Sequence, residues 1–237
     1  RPAIQVGRLA GELHLDGRLD EPWWRQADSI GALTQIEPFA GAVPNARTVV
    51  RVVASGDALV IGIRADDPEP ARITSFARAR DADLNNEDHV RLILDTYRDG
   101  RSGFVFAVNP NGARYDALVI NQGEGENANW DALWEAATAR TATGWSAEIR
   151  IPARSLLFRR GLDSWGFNVQ RRVQRTIEVS RWASPTRDVK IGMTSRAGLL
   201  VGIPAFDLGQ GLSVRPALST GGGYPAQGAE FQGSFEP

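Results

Sequence analysis

In run after run of this chain, apolar side chains recur at every second position. That is the spacing at which alternate residues of a strand fall on opposite faces, so it commits most of the sequence to β-structure. Leu59, Ile61, Ile63 and Ala65 alternate with Val60, Gly62 and Arg64, and the Ser55-Gly56-Asp57 break joins this run to residues 48–54 as a hairpin. Val90, Leu92 and Leu94 alternate with Arg91, Ile93 and Asp95, and after Arg98-Asp99-Gly100 the pattern resumes with Phe104, Phe106 and Val108. Asn109-Pro110-Asn111-Gly112 reads as a turn, because proline sets φ early in it and glycine admits a positive φ later; a strand over residues 114–120 follows. Further strands are expected at residues 133–140, 145–151, 165–175, 179–184 and 197–203. Helix is expected only at residues 21–27, with Asp20 as cap and Pro22 in the first turn, and at residues 153–157 after Pro152. About ten strands separated by turns predict an all-β chain, an antiparallel two-sheet β-sandwich of jelly-roll or immunoglobulin-like kind.

A sandwich of this type fills about 200–250 residues as one domain. The 237 residues therefore divide into a sandwich over residues 1–205 and a tail over residues 206–237, where Gly, Ser, Pro and Ala take over and Gly221-Gly222-Gly223 interrupts the pattern. Acidic and basic residues nearly cancel, 28 against 27, which leaves a formal net charge of −1. Nucleic acid is set aside as a partner, since nothing favours the counterion release that clustered Lys and Arg provide. The absence of cysteine removes disulfides, thiolate nucleophiles, Cys-ligated zinc and iron–sulfur clusters, and is compatible with export. No run of about 18 apolar residues is present, so a membrane role would need a barrel or a partner. The opening Arg1-Pro2, without an initiator Met, fits a processed chain.

Leu15-Asp16-Gly17-Arg18-Leu19-Asp20-Glu21-Pro22-Trp23-Trp24 resembles the opening signature of family 9 carbohydrate-binding modules. The likeness continues in order through residues 58–67, 87–95 and 144–152 to Trp165-Gly166-Phe167-Asn168-Val169. A narrower resemblance, over roughly residues 4–205, is to exported bacterial proteins in which such a domain precedes a predicted outer-membrane β-barrel of unknown function. It rests on Asp81-Ala82-Asp83-Leu84, Val108-Asn109-Pro110-Asn111-Gly112, Trp130-Asp131-Ala132-Leu133-Trp134-Glu135 and Arg181-Trp182-Ala183-Ser184-Pro185. Residues 231–237 resemble the stretch before the barrel's early strands. The resemblance implies a non-catalytic ligand-recognition domain with a saccharide or cell-surface glycan as partner. It also implies an exported location, in the periplasm or at the outer-membrane surface, with a barrel of the same polypeptide beyond the tail. The alternative is a structural or docking domain for that barrel. In sugar-binding members two Trp side chains sandwich a terminal ring; those positions align near Asn85 and Ile191, and the family's glutamate aligns with Arg91.

Among the seven Trp, Trp24, Trp145 and Trp165 sit in motifs that anchor strands and are expected in the core. Trp182, beside Arg181 and Asp188, and Trp130, after the polar loop of residues 121–129, are the candidates for stacking a sugar, with Asn109 as an amide partner. Arg171 falls on the apolar face of Phe167, Val169 and Val173, and Asp116 on that of Leu118 and Ile120. A buried guanidinium needs a partner, so the two predict an Arg171–Asp116 pair, a sandwich end opening to water, or a polar pocket that binds a ligand. Asp81, Asp83 and Asp88, with Asn85 and Glu87 and with Asp66 or Asp67 nearby, are the oxygen donors expected for a Ca²⁺ ion. An EF-hand is excluded, because a loop starting at Asp81 places Asn86 at the glycine position and Leu92 at the bidentate glutamate. His14 and His89 alone give little support to a catalytic triad, and a haem held by His89 and Met193 has no spacing to recommend it.

Overall fold

The computed structural model describes residues 1–208. Gly221-Gly222-Gly223 and residues 231–237, which carried the linker and barrel expectations, lie outside the described residues. In chain order the elements are β1 (Ala3–Gln5), β2 (Gly7–Arg8), α1 (Pro22–Gln26), β3 (Ser29–Ile30), β4 (Thr34–Glu37), β5 (Thr48–Ala54), β6 (Ala58–Asp66), β7 (His89–Asp95) and β8 (Gly103–Val108). There follow β9 (Arg114–Ile120), β10 (Gly125–Asn127), β11 (Glu135–Thr141), β12 (Gly144–Pro152), β13 (Ser164–Val173), β14 (Glu178–Arg181) and β15 (Gly198–Val201).

The strands form two sheets. The larger runs β1-β15-β13-β7-β8-β9-β10, with β14 paired to β13 and β4 to β14; the smaller runs β11-β12-β6-β5-β2, with β3 on β5. Pairing is antiparallel except at two edges, where β1 lies parallel to β15 and β2 parallel to β5. The expected helix over residues 153–157 is a single 3-10 turn, Ala153–Ser155. Helix α1 forms where expected, but Glu21 rather than Asp20 stands at its N-cap and offers no side-chain bond.

Alternation fixes which side chains meet between the sheets. Val50 and Val52, then Leu59, Ile61 and Ile63, and Ala147, Ile149 and Ile151 point inward from the smaller sheet. Val90, Leu92 and Leu94, then Phe104, Phe106 and Val108, and Trp165, Phe167 and Val169 answer them from the larger. The set-aside Trp24, Trp145 and Trp165 are all buried. Trp24 lies on the opposite face of the smaller sheet, with Val53 and Val60. That ring explains Gly62 in the middle of a strand: a Cβ there would come within 2.8 Å of both Leu19 Cδ2 and Trp24 Cη2. Trp24 Nε1 donates to Glu148 Oε1 at 3.2 Å, while Glu148 Oε2 accepts from Asp16 N and Gly17 N at 3.0 Å each, so one buried carboxylate ties the Asp-Gly turn to the sheet. Phe206 still packs on Phe158 and Trp165, with ring centroids 5.9 and 5.7 Å apart, so the sandwich takes in the first residues of the expected tail.

Candidate functional site

The outward face of the larger sheet changes character along its strands. At one level Ile93, Val105, Ala117 and Val119 form an apolar patch covered by Ile191. Two residues away along these strands the same face turns polar. Register there places Tyr115 of β9 opposite Ala107 of β8, Ala107 opposite Arg91 of β7, Arg91 opposite Gln170 of β13, and Gln170 opposite Arg181 of β14. Five strands thus each give one side chain to a continuous cross-strand row of roughly 19 Å, at about 4.8 Å per strand. Residues 81–85, 123–126 and 187–191 rise around this row, and together they enclose a cleft of about 690 Å³, within the usual range for a ligand site.

The floor is held rigid by its own bonds. Arg91 Nη2 donates to Glu126 Oε2 at 2.9 Å and its guanidinium lies 5.1 Å from the Tyr115 ring centroid; Tyr115 Oη donates to the same carboxylate oxygen at 3.0 Å. Burial, then the charge of Glu126, pushes the Tyr115 phenol up to about 12. Gln170 Oε1 accepts from Arg181 Nε and Nη2 at 3.0 and 2.7 Å. Arg181 Nη1 donates to the carbonyls of Ser184 and Val189. His89 is buried at the cleft wall with Nδ1 3.0 Å from the Glu87 carbonyl, which makes Nδ1 the protonated nitrogen. Desolvation takes its imidazole down to about 4, so it is neutral at ordinary pH.

Asn85 and Ile191, near which the two stacking Trp of family 9 modules align, and Arg91, at the position of those modules' glutamate, all line this cleft. The residues singled out as ligand candidates lie elsewhere. Trp182 is half-buried, 6.1 Å from the Phe167 ring, and a Cβ on Gly198 would meet it at 2.5 Å. Trp130 is half-buried against Phe104 and Phe106, at 4.9 and 6.3 Å. Asn109 is fully buried, donating to Ala77 O and Glu87 Oε2 and accepting from Asn111 N and Ala113 N, so it holds its own turn together.

The expected Arg171–Asp116 pair does not form. Arg171 Nη1 donates to Arg47 O and Thr48 Oγ1 at 3.0 and 3.1 Å, and the carboxylates of Asp88 and Asp67 supply the main balancing charge. Asp116 belongs to a separate network: it accepts from Arg80 Nη2 at 2.8 Å, Ala132 N at 2.7 Å and Trp134 Nε1 at 2.9 Å. Neither Arg80 nor Trp134 shows Asp116 as its partner in the local sequence pattern, because both reach it from loops distant in sequence.

The calcium donors do not converge either. Asp88 Oδ1 accepts from Gln174 N and Thr74 N, Glu87 from Phe76 N and Ala77 N, and Asp83 Oδ1 from Asn85 N. Among the described residues the acidic groups that gather within 4.8 Å are Asp81, Asp116 and Asp131. Arg80 already sits there, 3.5, 2.8 and 3.0 Å from the three carboxylates, where it supplies the charge a cation would bring.

No protein-family model matches the sequence, and no curated protein does. Solved structures do match in fold, and they place the chain among two-sheet β-sandwiches. A family 9 carbohydrate-binding module from Caldicellulosiruptor kristjanssonii in complex with cellotriose aligns with a TM-score of 0.61 at 17% identity, over 92% of this chain and 100% of its own. The complex with glucose aligns at 0.62 and 17%, over 91% and 100%. A proposed carbohydrate-binding protein from Bacteroides uniformis aligns at 0.67 with 9% identity, over 84% of this chain and 98% of its own.

Proposed function

We propose that this domain recognises saccharides without acting on them, and that the cleft over the Tyr115–Arg181 row is the site. The observation that carries this reading is convergence. Asn85 and Arg91 stand far from Ile191 in sequence, yet Asn85 and Ile191 lie near the positions of the stacking Trp pair of family 9 modules and Arg91 at that of their glutamate, and all three line one cleft over a row to which four strands give polar side chains. Such a row offers the amide, hydroxyl and charged groups that fix the orientation of a polyhydroxylated ligand. Its groups suit binding better than proton transfer, because Arg91, Tyr115 and Glu126 are engaged with one another and Tyr115 titrates far from neutrality.

A glycan array followed by calorimetry on the 237-residue chain tests the reading. At least one glycan should bind, and Gln170→Ala should weaken it by about tenfold, the worth of one or two lost hydrogen bonds. Folded protein that binds no glycan would point instead to a docking domain for a membrane partner. We also propose the exported setting before an outer-membrane barrel, supported by the absent cysteines and the resemblance of residues 231–237. The reading frame around the sequence tests it: a leader before Arg1 and amphipathic strands after Pro237 are expected.

A further inference from the structure

The two sides of the cleft are charged differently. On the β9 and β10 side every basic group is matched by an acid: Arg91 pairs with Glu126 at 2.9 Å, and Lys190 with Glu124 at 2.6 Å. On the β14 side Arg181 is 3% exposed, yet among the described residues its donors reach only the neutral oxygens of Gln170, Ser184 and Val189. Arg187, at the rim, donates among the described residues only to the carbonyls of Ile36 and Pro38, at 3.0 and 2.6 Å. Glu37 also lines this side, and among the described residues it forms an ion pair with neither arginine. A guanidinium carries five N–H groups. Four bonds on Arg181 and two on Arg187 leave one and three unspent.

We propose that the saccharide taken by this cleft carries a carboxylate, seated on the Arg181–Arg187 side, with its hydroxyl groups along Gln170, Arg91 and Glu126. The proposal rests on the saccharide reading and narrows it to acidic sugars. A buried charge with no counter-charge is costly, and a ligand carboxylate supplies what the chain leaves out. Burial alone already pulls the Arg181 guanidinium down to about 10, which shows how poorly its charge is compensated. Asn85 and Ile191 at the positions of the family's stacking Trp leave the cleft without that aromatic clamp, so attraction to a charged group takes over part of its work.

Calorimetry on the full chain with D-galacturonate, D-glucuronate and N-acetylneuraminate, each beside its methyl ester and with cellotriose as a neutral reference, decides it. At least one free acid should bind about tenfold more tightly than its ester, the difference between a charge-assisted and a neutral contact. Raising salt from about 50 mM to about 500 mM should weaken the acid and spare the ester. Arg187→Gln, at an exposed position, should narrow the gap without disturbing the fold. Esters that bind as well as their acids, or cellotriose binding where no acid does, would overturn the acidic specificity and leave saccharide recognition standing. Failure of every sugar would remove both.

Discussion

Glu148 shows how one side chain can set the pH response of the whole sandwich. Burial pushes its carboxyl up to about 7 from 4.5, and the three donors that hold its ionised form offset this only in part. The folded state therefore keeps a proton that the unfolded chain gives up, and this contribution to stability is full below pH about 4.5 and fades as pH rises through about 7. His89 acts in the opposite direction, since its folded value near 4 lies below the ordinary 6.5 and its contribution is lost as the medium turns acid. Thermal melts of the native chain and Glu148→Gln separate the two: the advantage of Glu148 should shrink between pH about 4.5 and about 7, and a constant difference would contradict the assignment. Arg80 lends itself to a similar test. Arg80→Ala strips the charge partner from the buried Asp116 and should cost about 2–4 kcal/mol, somewhat below a fully buried pair because Arg80 is partly exposed. The three carboxylates it vacates should then take up Ca²⁺, so calcium should raise the melting temperature of the variant more than that of the native chain.

At the level of elements, α1 and β6 are matched through Gly62. Gly62→Ala drives a methyl group into the rigid Trp24 ring and should destabilise by about 1–3 kcal/mol in urea titrations, whereas an ordinary exposed strand position would gain from the same change. Strands of six or more residues were legible from alternation, and β5 and β9 have the expected limits. The short edges β1, β2, β3, β4 and β10 were not, since two to four residues show little alternation unless, as at β14 and β15, they sit within a longer apolar run. Nor did composition disclose that β1 and β2 pair in parallel, because that direction follows from where the chain must travel between sheets. Inward Arg171 and Asp116 were readable as buried charges, but their partners depend on which loops cover each end.

Taken whole, the domain ends later than its composition suggests. A chain cut after Ala205 loses Phe206 from the Phe158–Trp165 cluster and should melt several degrees lower than one cut after Leu208, for a loss of roughly 1–3 kcal/mol; equal melting would detach Phe206 from the fold's energetics. The cleft was largely hidden from sequence reasoning for a reason that holds across the molecule. Indole content drew attention to Trp130 and Trp182, which the packing consumes, while Tyr115, Arg91, Gln170 and Arg181 become neighbours only through the register of successive strand pairs. The same register also makes the row easy to alter. Each of its five members sits on a different strand and points away from the packing between the sheets, so period two insulates that packing from a change at Tyr115, Arg91 or Gln170, whereas Ala107 and Arg181 are themselves buried beneath the surrounding loops. Specificity can therefore drift, or be bred in a library of those three codons, at little expense to the scaffold, and the fold can host a succession of ligands while its interior stays as it is.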